Sequence, residues 1–241
     1  MTRTPIVGVI QARMGSSRLP GKILAPVLDG IPLLKVIVER VRDTEVEWWL
    51  ATTDSRSDDL TACWGRELGL NVFRGDEQDV LSRFASIARE TGSEWVVRLT
   101  ADNPFVNAEV VNALVKRAVA DPVPPGRLCD LSRYYPLGYV PEIVRSELIL
   151  ELDDVLPPID LRREHVTSGL QLTHSQQLEV QEWPRRGGWR WTVDEIRDLE
   201  MTRRAFALFG EHGLTTVYTE MVEVIDRFQI HSLNYGVVQR S

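Results

Sequence analysis

Three cations, Arg13, Arg18 and Lys22, share the run Gln11-Ala12-Arg13-Met14-Gly15-Ser16-Ser17-Arg18-Leu19-Pro20-Gly21-Lys22 with two hydroxyls and two glycines. The arginines can present planar forks to phosphate oxygens, and the lysine supplies a compact charge. Glycine lets backbone N–H groups approach an anion without a Cβ in the way, and successive amides in such a turn form an anion-binding nest. The chemistry these residues suit is the holding of a polyphosphate. A solvated surface loop has the same composition. Neither a Walker A loop nor G-x-G-x-x-G is present, because Gly15 and Gly21 stand too far apart and no G-K-[ST] closes the run.

Two carboxylates stand where an ion could join that phosphate. Asp102, in VRLTADNPF, follows an apolar run, and Asp194, in WRWTVDEIRDLEM, lies between an apolar run and a helix start. Mg²⁺ is typically held by one or two carboxylates together with substrate phosphates. Each aspartate also has a plainer use, since Asp102 before Asn103-Pro104 suits a turn and Asp194 suits a helix N-cap. His165, His174, His212 and His231 form no H-E-x-x-H or comparable cluster, and Cys63 and Cys129 lack metal-ligand spacing. The cysteines read as unpaired structural thiols, and a zinc enzyme is not expected.

The elements that must position these groups follow from periodicity. Residues 5–10 read as a buried strand that breaks directly into the cationic run, and residues 31–41 carry apolar side chains at helical spacing. Strands are expected at 48–53, 71–75 and 95–100, with helices from the 54–59 loop to about residue 68, ended by Gly69, and over 79–90. Strands and helices alternating at this spacing predict an α/β fold with a mostly parallel sheet flanked by helices. Open sheets of this kind hold ligands at the carboxyl ends of their strands, which is where the cationic run begins. After about residue 121 the prolines at 122, 124, 125, 136, 141, 157 and 158 interrupt the periodicity, so a loop-rich region is expected over a cleft. Helices are then expected at 146–152, around 163–170 and from 194 to 208, with strands near 178–180 and over 189–193. The chain reads as one domain over 1–241, a nucleotide-binding half at 1–120 and an acceptor-binding half at 121–241.

Composition excludes several classes. A formal net charge of −7 argues against a nucleic-acid partner, which calls for a strongly basic face. With 43% hydrophobic and 26% charged residues, the chain has the make-up of a globular domain. No apolar stretch approaches the ~18 residues of a membrane span, and the start lacks a signal-peptide core. The cytoplasm is the expected location, with no membrane association.

QARMGSSRLPGK resembles the amino-terminal signature of the sugar nucleotidyltransferases related to CMP-KDO synthetase, closest to the branch typified by spore-coat polysaccharide biosynthesis cytidylyltransferases. The resemblance extends over nearly the whole chain, with gaps at about 121–130 and 145–161. It implies a glycosyltransferase-A-like, Rossmann-like fold, and CTP as the donor. By that likeness Arg13, Arg18 and Lys22 act on the triphosphate, beside Gln11, Ala12 and the Gly15-Ser16-Ser17 backbone. R-L-T-x-D-x-P matches the family's metal-binding aspartate, and V-D-x-x-x-D-L-E its second, so the resemblance implies Mg²⁺ on Asp102 and Asp194, with Asp198 capping the helix or standing behind the site. ATTDSRSDDL and VFRGDEQDVLSRF resemble segments beside the nucleotide, implying roles for Thr52, Thr53, Arg74, Gly75 and Asp79, although the last three are equally a β–α loop with a helix cap. R-E-H-V-T and G-x-x-x-E imply acceptor contacts from Arg163, His165 and Glu142, and Arg98 is placed with them. The chain departs from the family at Glu195, Tyr139 and Pro141, which leaves the charge at the metal pair and the acceptor open. The implied reaction is transfer of CMP from CTP to a small anionic acceptor, an acidic sugar or a phosphate- or phosphonate-bearing molecule, by a homodimer. A nucleotide-sugar glycosyltransferase and a non-catalytic nucleotide-binding protein are the alternatives.

Overall fold

A computed structural model describes residues 6–120, 126–130, 133–170 and 175–237. The first half alternates as expected: β1 (Ile6–Gln11), the short pair β2 (Pro26–Leu28) and β3 (Ile31–Pro32), α1 (Leu33–Val41), β4 (Glu47–Thr53), α2 (Asp59–Glu67), β5 (Asn71–Gly75), α3 (Val80–Thr91) and β6 (Trp95–Thr100). It continues with α4 (Ala108–Ala120), β7 (Arg127–Cys129), β8 (Glu142–Arg145), α5 (Ser146–Val155), β9 (Ser175–Gln177), α6 (Ile196–Phe209) and α7 (Tyr218–Arg227).

One sheet, ordered β5-β4-β1-β6-β8-β7-β9, runs through both halves. The strands β5, β4, β1 and β6 are parallel, β8 pairs antiparallel with both β6 and β7, and β9 joins β7 in parallel. From β1 the chain steps outward to β4 and β5, then returns to β6 on the other side of β1. The crevice at that reversal opens at the carboxyl ends of β1 and β6, where Gln11 stands opposite Thr100.

Both faces of the sheet are covered, which explains why its strands are apolar without strict alternation. In β1, Val7 and Val9 pack towards α3 and α5, while Ile10 belongs to the larger cluster with α1, α4, α6 and α7. Gly8 lies against Trp48, where a Cβ would come within 2.4 Å of the indole. Arg40 of α1 is buried and donates to the carbonyls of Phe105, Val106, Gly213 and Thr216, tying this helix to the carboxyl-terminal half. Burial pulls its pKa down to about 10, partly offset by Tyr139 and Glu109. The two cysteines are free, Cys63 exposed and Cys129 buried. No helix among the described residues is long and apolar enough to cross a membrane.

Beyond residue 120 the elements differ from the sequence expectation. The strand expected at 178–180 lies at 175–177 instead. Residues 189–193 form no strand: Arg190 makes a single parallel bridge with Leu137, and the apolarity of the run serves aromatic packing, with Trp191 at 4.8 Å from Phe105 and 5.5 Å from Tyr139. The helix expected around 163–170 is a 3₁₀ turn, Leu161–His165, stopped by Val166 at φ 56°. The reading of the sequence had no counterpart for α4, α7, β7 or β8. Pro122, Pro124, Pro125 and His174 lie outside the described residues.

Candidate active site

The cationic run leaves β1 at Gln11 and folds back on itself. Met14 carbonyl oxygen accepts from the N–H groups of Ser16 and Gly21 at 2.9 and 3.0 Å, and Leu19 N–H donates to Ser16 Oγ at 3.4 Å. Gly21 takes φ 74°, a left-handed conformation that starts the 3₁₀ turn Lys22–Leu24. That turn sends Lys22 inward, where it is buried. The loop is pinned from outside by Asp58, which sits at 1% exposure between β4 and α2. Its carboxylate accepts from Met14 N–H at 2.7 Å, from Thr61 Oγ1 at 3.0 Å and from Thr53 Oγ1. Asp58 was not singled out in the sequence, because SRSDDL reads as a helix-capping run; it stands at the N-cap of α2 but its side chain makes no capping hydrogen bond and holds the cationic loop instead.

The two carboxylates are brought together by one backbone contact. Val193 N–H donates to the Asp102 carbonyl at 2.7 Å, docking residues 190–194 along the end of β6. Neither aspartate is consumed by its plainer role. Asn103 closes the turn after β6, its side chain donating to Thr100 Oγ1 at 2.8 Å. Glu195 is the N-cap of α6, in a capping box with Asp198, so Asp194 stands one residue ahead with its carboxylate turned to the cleft. The Glu195 side chain is engaged in the cap.

Lys22 Nζ lies between the two carboxylates, donating to Asp102 Oδ2 at 2.9 Å, Asp194 Oδ1 at 3.1 Å and the Val193 carbonyl at 2.6 Å. Asp194 also meets Arg18 at 2.9 Å and Arg190 at 2.5 Å. Burial opposes its charge, but Lys22, Arg18 and Arg190 outweigh burial and hold the carboxyl below the usual range. Behind it, Asp198 receives Arg190, the N–H groups of Asp194 and Glu195, and the Asn234 amide at 2.9 Å. Hard oxygen ligands around a protein-borne ammonium are a donor set suited to a cation, and oxygen-only coordination is what Mg²⁺ takes. Among the described residues there is no cluster of three or more acidic, histidine or cysteine side chains for a metal, so substrate oxygens would have to complete a shell.

These groups open on a cavity of about 560 Å³. Of the sequence-selected residues, the structure brings together Gln11, Ala12, Arg13, Ser16, Ser17 and Arg18. Lys22, Arg98, Asp102, His165 and Asp194 join them, and the sequence reading had not included Thr100 or Glu164. Arg13 makes long contacts to Glu77 at 3.6 Å and Glu164 at 3.5 Å. Gly15 is in the loop but not among the lining residues, and a Cβ there would meet Glu77 at 3.1 Å. Others are engaged in supporting the walls. Thr52 and Thr53 are buried, and Arg74 buttresses the end of β4 through the Thr53 and Ser55 carbonyls and Asp59. Gly75 carbonyl accepts from Asp54 N–H at 2.9 Å. Asp79 caps α3 through Ser82 N–H and binds Arg163, which is 5% exposed and also held by Asp153. Arg163 therefore clamps α3 to α5, and only its neighbours Glu164 and His165 reach the cavity. Glu142 lies next door, paired with Arg98 at 3.2 Å.

A cavity at strand carboxyl ends, with four cations converging beside a carboxylate pair, can bind a polyphosphate and stabilise charge on a departing phosphate group. A sequence model described as cytidylyltransferase matches residues 7–135. The spore coat polysaccharide biosynthesis protein SpsF of Bacillus subtilis (strain 168) is 32% identical over 232 residues, covering 92% of this chain and 94% of that one. The 3-deoxy-manno-octulosonate cytidylyltransferase of Escherichia coli is 30% identical over 124 residues, half of this chain and 49% of its own length. A solved cytidylyltransferase from Leptospira borgpetersenii superposes with a TM-score of 0.89 at 25% identity, covering 98% of this chain and all of that one.

Proposed function

The chain belongs to the cytidylyltransferase family and is a nucleotidyltransferase, and from that premise we propose that it transfers CMP from CTP to an acidic sugar, or to a phosphate- or phosphonate-bearing acceptor, in the cytoplasm. The observation that carries the reading is the convergence of Lys22, Arg18, Asp102 and Asp194 at one point of the cavity. An acceptor oxygen attacks the α-phosphorus of CTP; the new P–O bond forms as the α–β anhydride bond breaks, and pyrophosphate departs. The phosphoryl group passes directly to the acceptor, so no protein nucleophile is needed. The loop amides from Gly15 to Ser17 with Arg13 and Arg18 hold the triphosphate, and Lys22 and Arg18 meet charge developing on the leaving pyrophosphate.

Asp102 and Asp194 are the residues that would hold Mg²⁺. When bound, the ion would supply charge neutralisation at the phosphates. Lys22 marks the position a cation prefers, and an ion taken up there would release its ammonium towards a phosphate. Asp198 and Arg190 fix Asp194, Asp58 fixes the loop, and Glu142 holds Arg98 at the rim.

The test is a screen of sugar acids, phosphorylated polyols and phosphonates with CTP and Mg²⁺, read by pyrophosphate release. Turnover with CTP and at least one acid, but not with UTP or GTP, is expected. Equal turnover of all three nucleotides would move the chain to another nucleotidyltransferase branch. CTP binding without turnover of any acceptor would leave a binding protein.

A further inference from the structure

A 3₁₀ turn, Ile230–Asn234, follows α7 and packs against α6. Gln229 opens it at φ 54°, and its buried residues are Ile230 and Asn234. The turn meets the run that carries Asp194 in two places. The His231 ring stacks on Trp189 with centroids 4.7 Å apart and planes 8° from parallel, and Asn234 Nδ2 donates to the Arg190 carbonyl at 3.0 Å. The same nitrogen donates to Asp198 Oδ1 at 2.9 Å. Both of these neighbours are acceptors, so the NH₂ end of the amide is the end that suits them.

The Asp198 carboxylate is fully buried, and a buried charge needs donors on its oxygens. Arg190 supplies Nε at 3.0 Å and Nη2 at 3.3 Å, and the N–H groups of Asp194 and Glu195 donate to Oδ2 at 3.0 Å each. All of these donors come from residues 190–195, the stretch that Asp198 itself holds. Among the described residues, Asn234 is the donor that reaches this carboxylate from outside that stretch. Asp194 is fixed at both ends through groups that Asn234 touches, its N–H by Asp198 and its carboxylate by Arg190 Nη2 at 2.5 Å. Being neutral, Asn234 adds a donor without a second cation to compete with Arg190.

Resting on the reading that Asp102 and Asp194 hold Mg²⁺ for nucleotidyl transfer, we infer that Asn234 is a positioning residue for that site: by tying Asp198 and Arg190 to the carboxyl-terminal turn, it sets the direction in which Asp194 presents its carboxylate. Groups that orient a metal's ligands from behind contribute about 10–100-fold to metal affinity or activity. The effect belongs to the ion. The Asn234 bonds run to Arg190 and Asp198, whereas the loop that holds the triphosphate is pinned separately by Asp58.

Calorimetry of CTP binding, run in Mg²⁺ and again in EDTA, separates the two contributions, because the ratio of the two affinities is the part the ion supplies. Wild type binds CTP more tightly in Mg²⁺. Asn234→Leu and Asn234→Asp match the size of the side chain and lack its NH₂ donor. In both, the tightening by Mg²⁺ falls about tenfold or more, while the affinity in EDTA stays at the wild-type value, which also reports that they fold. Should Asn234→Leu fail to fold, Asn234→Ser carries the test, with a smaller loss confined to Mg²⁺. An amide that served stability alone would lower the urea midpoint and leave the ratio intact. An unchanged ratio in the variants, or an equal fall in Mg²⁺ and in EDTA, would overturn the inference. Wild-type binding of CTP that Mg²⁺ does not tighten would strike the metal reading first, and this inference with it.

Discussion

Lys22 is the side chain on which the site turns, because its ammonium already satisfies both carboxylates that would hold a metal. A divalent ion arriving without nucleotide must displace a charge about 3 Å from each, an interaction of roughly 1–4 kcal/mol in partly solvated surroundings. Lys22→Met is therefore expected to bind Mn²⁺ about tenfold more tightly than wild type in the absence of CTP, followed by electron paramagnetic resonance. Unchanged Mn²⁺ affinity would contradict this placement. Asp58→Ala leaves Met14 N–H and two threonine hydroxyls unpaired, and unmatched buried groups cost about 1–3 kcal/mol each. A loss of about 2 kcal/mol or more in urea unfolding, with weakened CTP affinity, is expected. Asp102 and Asp194 were legible in the sequence because each follows an apolar run and one family pattern covers each. Asp58 was not, since its contacts to Met14 and Thr53 come from loop geometry that no local pattern encodes. Asp79 and Arg163 show the converse: both stood in family-like runs, and the fold uses them on each other.

At the level of elements, the start of α6 decides whether Asp194 is available. The capping box of Glu195 and Asp198 satisfies the first turn and leaves the preceding carboxylate out of the cap, paired with Lys22, Arg18 and Arg190. Glu195→Ala should cost about 1 kcal/mol of stability, as lost caps do, while CTP affinity stays unchanged, a pair of readouts obtained from denaturant unfolding and calorimetry. A fall in CTP affinity as well would place Glu195 in the site. The regular β–α alternation through β6 was readable from periodicity because each strand is covered on both faces and each helix on one. The carboxyl-terminal half was not: residues 189–193 are apolar to pack Trp191 among Phe105 and Tyr139, and an aromatic run serving a core has the same pattern as a strand. The 3₁₀ turn at Leu161–His165 has too few residues for a helical period to show.

For the whole molecule, the informative contrast is a net charge of −7 around a cavity lined by Arg13, Arg18, Lys22 and Arg98. An acidic surface disfavours polyanions at large and confines anion binding to the cleft. Val155, Ile159 and Leu161 stand 71%, 91% and 84% exposed at and before the turn that carries Glu164 and His165, and the homodimer implied by the family resemblance is open to a direct test. Light scattering is expected to give twice the 27.4 kDa chain mass; a monomer at assay concentration would remove the homodimer from the account. The reading as a whole rests on nucleotidyl transfer at the Lys22–Asp102–Asp194 cluster. Its most direct test is pyrophosphate release from CTP and a productive acceptor by wild type, Lys22→Ala and Asp102→Ala, with Mg²⁺ and with chelator. The account predicts release by wild type with Mg²⁺ alone, and a loss of about a hundredfold or more in both variants. Release near the wild-type rate in either variant, or undiminished release under chelation, would contradict it.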